Sequence, residues 1–274
     1  MMMLVRLLRV RLAVMNGVAT MAGYLLFPGN REMVAAWLAC CGVGLLAAGG
    51  SALNQVMERD LDRLMERTRL RPLPQGELSV AAATGIAAVL VSAGIMLLLK
   101  AGGVLPAVLG SAALVWYLGV YTPLKRRTGL ALPIGALCGA VPPLIGWCVA
   151  GGSPGDPRIM VLSGVLFLWQ MPHFWLVQRR HRQDYPADAA FLPSLPGNGE
   201  QLSPLFGLWL LALLAAALLL PAFGLLNGPA ALCYPILPLV LIPLVLLRRE
   251  RALRGVLNLF PLLLTMTILW EAGF

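Results

Sequence analysis

Charge is scarce in this chain. Asp, Glu, Lys and Arg supply 12% of its 274 residues, where a soluble domain carries about a quarter, so a water-soluble globule is excluded. Alternation of polar and apolar residues is missing too: the run from Leu208 to Leu220 is continuously apolar, which excludes a transmembrane β-barrel. The cysteines Cys40, Cys41, Cys138, Cys148 and Cys233 stand in apolar segments with no CxxC pair and no histidine cluster. Buried free thiols are expected, not a zinc site or a disulfide framework. No persuasive small-residue cleavage site precedes Pro28, so the first apolar segment reads as a retained span.

What the chain has is hydrophobicity, 59% by composition. A helical span needs about 20 mainly apolar residues. Nine segments qualify, roughly 11–28, 33–53, 79–99, 104–121, 130–150, 159–178, 203–221, 229–247 and 256–272. They leave no room for a separate soluble domain, so an all-α polytopic membrane protein with a single transmembrane domain over residues 1–274 is expected. With nine spans, 18 of the 21 basic residues fall on one side of the membrane. Only Arg31, Lys100 and Arg158 fall on the other. The positive-inside rule then puts the N-terminus in the cytoplasm and the C-terminus outside. The net charge of +9 is thus topological; its partner is the lipid bilayer, and nucleic acid is not expected.

Carboxylates are the informative minority. Glu58, Asp60, Asp62, Glu66 and Glu77 follow span two, and Asp184, Asp188 and Glu200 follow span six. Both loops, about 54–78 and 179–202, lie on the cytoplasmic side of the expected topology. Asn54, Glu58 and Asp62 are spaced four apart, so a helix continuing through them places all three on one face, with Asp60 on another. Arg67 and Arg71 follow as a cationic pair. Amide and carboxylate oxygens suit Mg²⁺, and arginines suit phosphate oxygens. The same spacing fits an interfacial helix with ordinary ion pairs equally well. Pro72 and Pro74 end any helix and make a stiff turn, either a connector or a lid hinge.

Two further regions carry chemistry-bearing residues. In W-Q-M-P-H-F-W, Pro172 kinks an apolar span and His173 follows it. An intramembrane histidine is either a packed hydrogen-bonding residue or a functional one. Asp184 and Asp188 stand four apart with Pro186 between them. In Y-T-P-L-K-R-R-T, Lys125 lies nearest the helix end, within reach of a phosphate, whereas Arg126 and Arg127 read as topological anchors. Gly135 and Gly139 form a small-xxx-small pair, the usual mark of close helix packing.

Together these segments resemble the UbiA family of intramembrane prenyltransferases. The resemblance rests on N-x-x-x-E-x-D-x-D-R-x-M-E-R-T-x-x-R-P-L-P-x-G from Asn54 to Gly76, on Y-T-P-L-K-R-R-T from Tyr121, on I-G-A-L-C-G-A-V-P-P-L-I-G-W from Ile134, and on W-Q-M-P-H-F-W from Trp169 with Asp184-Tyr185 after it. Arg9-Val10-Arg11 stands where the family tends to have K-P-R. The resemblance implies a nine-helix bundle in a bacterial-type inner membrane, with active-site loops capping its cytoplasmic mouth. It implies transfer of the farnesyl group of farnesyl diphosphate to a vinyl group of haem b, with Mg²⁺ as cofactor. By position, Asn54, Glu58, Asp62 and Asp184 would hold metal and diphosphate, with Asp60 and Asp188 as further candidates. Arg67, Arg71 and Lys125 would neutralise phosphate, and His173 would face the porphyrin, near its iron or a propionate. Haem-handling or oxidase-assembly proteins are the implied partners. Other readings are a different acceptor, such as a quinone-precursor ring, and a polytopic transporter; against the latter, the carboxylates sit at the membrane edge and no internal repeat is visible.

Overall fold

The structure is a computed structural model that describes residues 2–29, 32–125, 127–128, 131–180, 204–233, 236–246 and 249–271. Every regular element in it is helical: α1 Met2–Leu8, α2 Val10–Leu26, α3 Met33–Met57, α4 Arg59–Asp62, α5 Val80–Gly102, α6 Val104–Val115, a π-helical turn Trp116–Tyr121, α7 Thr122–Leu124, α8 Ala131–Val149, α9 Pro157–Arg180, α10 Pro204–Ala222, α11 Gly228–Cys233, α12 Ile236–Leu246 and α13 Glu250–Glu271. In lipid only internal pairing satisfies the backbone, which is why apolar runs of this length wind into helices.

Seven of them are long and apolar enough to cross a membrane: α3, α5, α6 continued through α7, α8, α9, α10 and α13. The chain is a multi-pass integral membrane protein. The two remaining expected spans correspond to α2, of 17 residues, and to α11 with α12, of 6 and 11 residues. At 1.5 Å per residue, α2 is about 26 Å long, slightly short of a hydrocarbon core of about 30 Å.

Small residues set how closely these helices approach. A Cβ on Gly23 would meet the Pro143 carbonyl of α8, and one on Gly146 would meet the Thr20 carbonyl of α2. The expected Gly135 and Gly139 contacts are present: a Cβ on Gly135 would strike the Tyr121 ring, and one on Gly139 the Gln170 amide. Leu46, Leu98 and Ile145 fill the core between α3, α5 and α8, while Trp147, Leu162, Phe206 and Leu257 fill that among α8, α9, α10 and α13. Val89, Met96, Val104 and Val108 are exposed, as suits side chains whose solvent is lipid.

The N-terminal segment adds an element that hydropathy does not suggest. Helix α1 lies on α3, where Gln55 Nε2 donates to the carbonyl of Leu7 at 2.7 Å. Arg9 then breaks the chain direction in the left-handed region, at φ 46°. The residues after α4 fold into successive turns against α1. Thr68 Oγ1 donates to the Asp62 carbonyl at 3.1 Å, Arg6 Nη1 to the Leu70 carbonyl at 2.7 Å and Arg6 Nη2 to Glu77 at 2.8 Å. Leu73 is buried between α1, α3 and α5. The R-P-L-P-Q-G stretch is thus held against the bundle through buried Leu73.

Candidate active site

Buried polar side chains gather at one end of the bundle. Asn54, Gln55, Glu58, Asp62, Thr68 and Thr122 are all buried there. Such burial is costly unless each group finds a partner, and the partners define the site.

Helix α3 does not run straight through the acidic segment. Glu58 is its C-cap, at φ −107° and ψ 8°, and α4 resumes at Arg59. The backbone bonds Glu58 N to the Asn54 carbonyl, 3.0 Å, and Asp62 N to the Glu58 carbonyl, 2.8 Å, keep the four-residue pitch across the break. Asn54, Glu58 and Asp62 consequently share one inward face, with Glu58 3% and Asp62 2% exposed. Asp60 points outward. Its side chain is 80% exposed and pairs with Arg59 and Arg63. Ordinary surface ion pairs thus exist here, but on the opposite face.

A cation answers each inward carboxylate. Lys125 Nζ donates to Glu58 Oε2 at 2.5 Å, and Arg71 Nη1 to Asp62 Oδ2 at 2.6 Å. Burial pushes the Lys125 ammonium below the ordinary lysine value, while Glu58 pulls it back up. Asn54 Nδ2 donates to Thr122 Oγ1 at 3.1 Å, and Thr122 Oγ1 donates to the Tyr117 carbonyl at 2.8 Å. That leaves Asn54 Oδ1 as the end suited to a cation. The π-helical turn carries Tyr117 and Tyr121, whose rings stack with centroids 5.7 Å apart. Lys125 lies 5.5 Å from the Tyr121 ring centre. π-Helical turns widen a helix locally and recur at functional sites.

Arg67 is exposed, yet it and Arg71 stand close enough to Arg9 to act on its charge. Burial pushes the Arg9 guanidinium down, Tyr117 opposes this, and Arg71 and Arg67 push it further down. Arg9, Thr122 and Tyr117 are members of the site that motif spacing alone did not single out. Thr122 stood in the quoted Y-T-P-L-K motif, but nothing in the sequence pairs it with Asn54. His173 lies on the α9 face that meets α13, its ring stacked on Trp169 with centroids 4.8 Å apart. Asp184 and Asp188 lie outside the described residues. Among the described residues no three acidic, histidine or cysteine side chains converge as a metal cage. The set offers two buried carboxylates and an amide facing half-buried cations.

This fold and this site define a helical multi-pass membrane protein with a buried cluster of carboxylates, an amide and paired cations at one end of the bundle. The chain belongs to the UbiA prenyltransferase family, whose sequence profile matches residues 16–266. Among curated proteins it is 54% identical to protoheme IX farnesyltransferase of Geobacter sulfurreducens over 265 residues, 96% of this chain and 97% of that one. Among solved structures it resembles the apo form of a UbiA homologue from Aeropyrum pernix, with TM-score 0.70, 22% identity and coverage of 95% and 96%. It also resembles a UbiA homologue from Archaeoglobus fulgidus bound to GPP and Mg²⁺, with TM-score 0.63, 15% identity and coverage of 99% of each chain.

Proposed function

We propose that this chain joins the farnesyl group of farnesyl diphosphate to a vinyl group of haem b, giving haem O and diphosphate. The observation that carries this reading is the 54% identity, spanning 97% of the relative's length, to a protoheme IX farnesyltransferase.

The chemistry follows from the cluster. The allylic C–O bond of farnesyl diphosphate breaks, the terminal vinyl carbon bonds to farnesyl C1, and water adds to the neighbouring carbon with loss of a proton. The electrostatic task is to hold the charge that collects on the departing diphosphate. Lys125, Arg71 and Arg67 are the cations that would bind its oxygens. Asn54 Oδ1, Glu58 and Asp62 are hard oxygen donors of the kind that suit Mg²⁺, and they would hold it. Asp184 would complete a second metal site. Bound Mg²⁺ supplies Lewis-acid charge to the leaving group. The ion pairs Lys125–Glu58 and Arg71–Asp62 keep these groups folded before substrate arrives. With metal and substrate bound, Glu58 and Asp62 would hold the metal, and Lys125 and Arg71 would hold the phosphate oxygens. His173 would face the porphyrin.

Nine spans, with α2 and the α11–α12 pair as the two shorter ones, are the crossing count we assign. The N-terminus is cytoplasmic, the C-terminus external and the membrane a bacterial inner membrane, consistent with the charge bias. The test is diphosphate release by purified protein in lipid. Release that requires haem b supports the reading, and release that requires an aromatic acid instead overturns the acceptor.

A further inference from the structure

The α9–α13 face carries polar groups that the diphosphate chemistry does not use. Trp169, His173 and Arg180 fall on the side of α9 that meets α13. Trp169 Nε1 donates to the Leu257 carbonyl at 2.6 Å, and the His173 and Asn258 side chains share a hydrogen bond. These contacts set the two helices antiparallel, with the end of α9 beside the start of α13. Between them lies a cavity of about 90 Å³ lined by His173, Arg180, Arg254 and Asn258 over apolar walls from Leu176 and Leu257. None of the described residues lining it is acidic.

A cavity of this size holds a few water-sized groups. It admits a carboxylate and its methylene arm, not a porphyrin. Arg180 and Arg254 both line this one small space, so an anion held there would be shared between two guanidiniums. Their planar forks match carboxylate oxygens bidentately. The apolar walls suit the alkyl arm. On a porphyrin of the haem b type, the propionates project from the edge remote from the vinyl groups. Holding them here would turn a vinyl edge away from the pocket.

Resting on the reading that haem b is the acceptor, we infer that Arg180 and Arg254 bind the acceptor's propionate carboxylates in this cavity, with His173 and Asn258 as hydrogen-bonding partners. The α9–α13 pocket is then the site that orients the acceptor, as the α3–α7 cluster holds the donor.

The experiment is a Soret titration of haem b and of its dimethyl ester into the full-length protein in phosphatidylcholine nanodiscs, with empty nanodiscs as blank. Arg180→Gln and Arg254→Gln should each weaken haem b binding by about tenfold, the scale of one charge-assisted hydrogen bond. Arg254→Lys should recover part of that loss. The dimethyl ester should bind the parent protein as weakly as haem b binds the variants, and should be indifferent to either substitution. The half-saturating farnesyl diphosphate concentration should not move. Equal affinity of the parent for haem b and its ester overturns the inference. So does a defect that appears only when phosphatidylglycerol is added, which would make the pocket a lipid-headgroup site. If the parent binds neither haem, the acceptor assignment itself falls, and the inference with it.

Discussion

Glu58 and Asp62 differ from the exposed Asp60 and Glu66 in being sealed from water and matched one to one with Lys125 and Arg71. Removing a charge from such a set has its largest effect on function. Asp62→Asn keeps the shape and an acceptor for Arg71, so the protein should insert and elute as a single species, yet turnover should fall by about a hundredfold or more. Near-parental activity in that variant would remove Asp62 from the metal set. Lys125 makes a pH prediction. In the proposed reaction its charge would bind phosphate, and burial lowers its titration, so kcat/KM for farnesyl diphosphate should decline on the alkaline side earlier than an ordinary lysine would cause. Bound diphosphate favours the ammonium, so the decline in kcat should come at higher pH than that in kcat/KM. Lys125→Arg should abolish the limb in both profiles. The four-residue spacing made the inward carboxylates legible in the sequence. Arg9 and Thr122 were not legible, because their roles depend on a left-handed turn and on a contact between residues 68 positions apart.

At the level of elements, the small-xxx-small pair in α8 was legible as close packing, but its partners were not. Gly135 makes room for the Tyr121 ring, and Tyr121 in turn lies against Lys125. Gly135→Val should therefore cost about 1–3 kcal/mol of stability by overpacking and should lower activity by displacing Tyr121. Gly85 in α5 is the control. A Cβ there meets nothing within 4 Å, so Gly85→Ala should be neutral or stabilising by up to about 1 kcal/mol. Thermal unfolding in detergent, followed by tryptophan fluorescence, compares the two; equal midpoints would contradict the close approach of α8 to the π-helical turn. The break at Glu58 was invisible to periodicity, because the backbone bonds on either side of it preserve the helical pitch. Helix α1 was invisible for a different reason: it has only seven residues, and what holds it is the burial of Leu7 and the bonds from Gln55 to the Arg6 and Leu7 carbonyls, not a long apolar stripe.

Over the whole molecule, hydropathy marked the long spans clearly, while α2 and the α11–α12 pair are short enough that length alone does not decide them. The topology rests on where the basic residues fall. A single cysteine at Lys100 or Arg158 should react with an impermeant thiol reagent from outside intact cells, and one at Arg63 or Arg179 should not; the reverse pattern would invert the bundle and put the donor site on the wrong face. The acceptor assignment rests on the 54% identity to a protoheme IX farnesyltransferase and on the resemblance of the W-Q-M-P-H-F-W segment, since composition and span pattern do not distinguish one acceptor from another. Its most direct test is mass spectrometry of the haems extracted after the purified protein, in lipid, is incubated with haem b, farnesyl diphosphate and Mg²⁺. The account predicts haem O, lost on adding EDTA and in Asp62→Asn. Unchanged haem b under conditions where the same preparation prenylates another acceptor would contradict it.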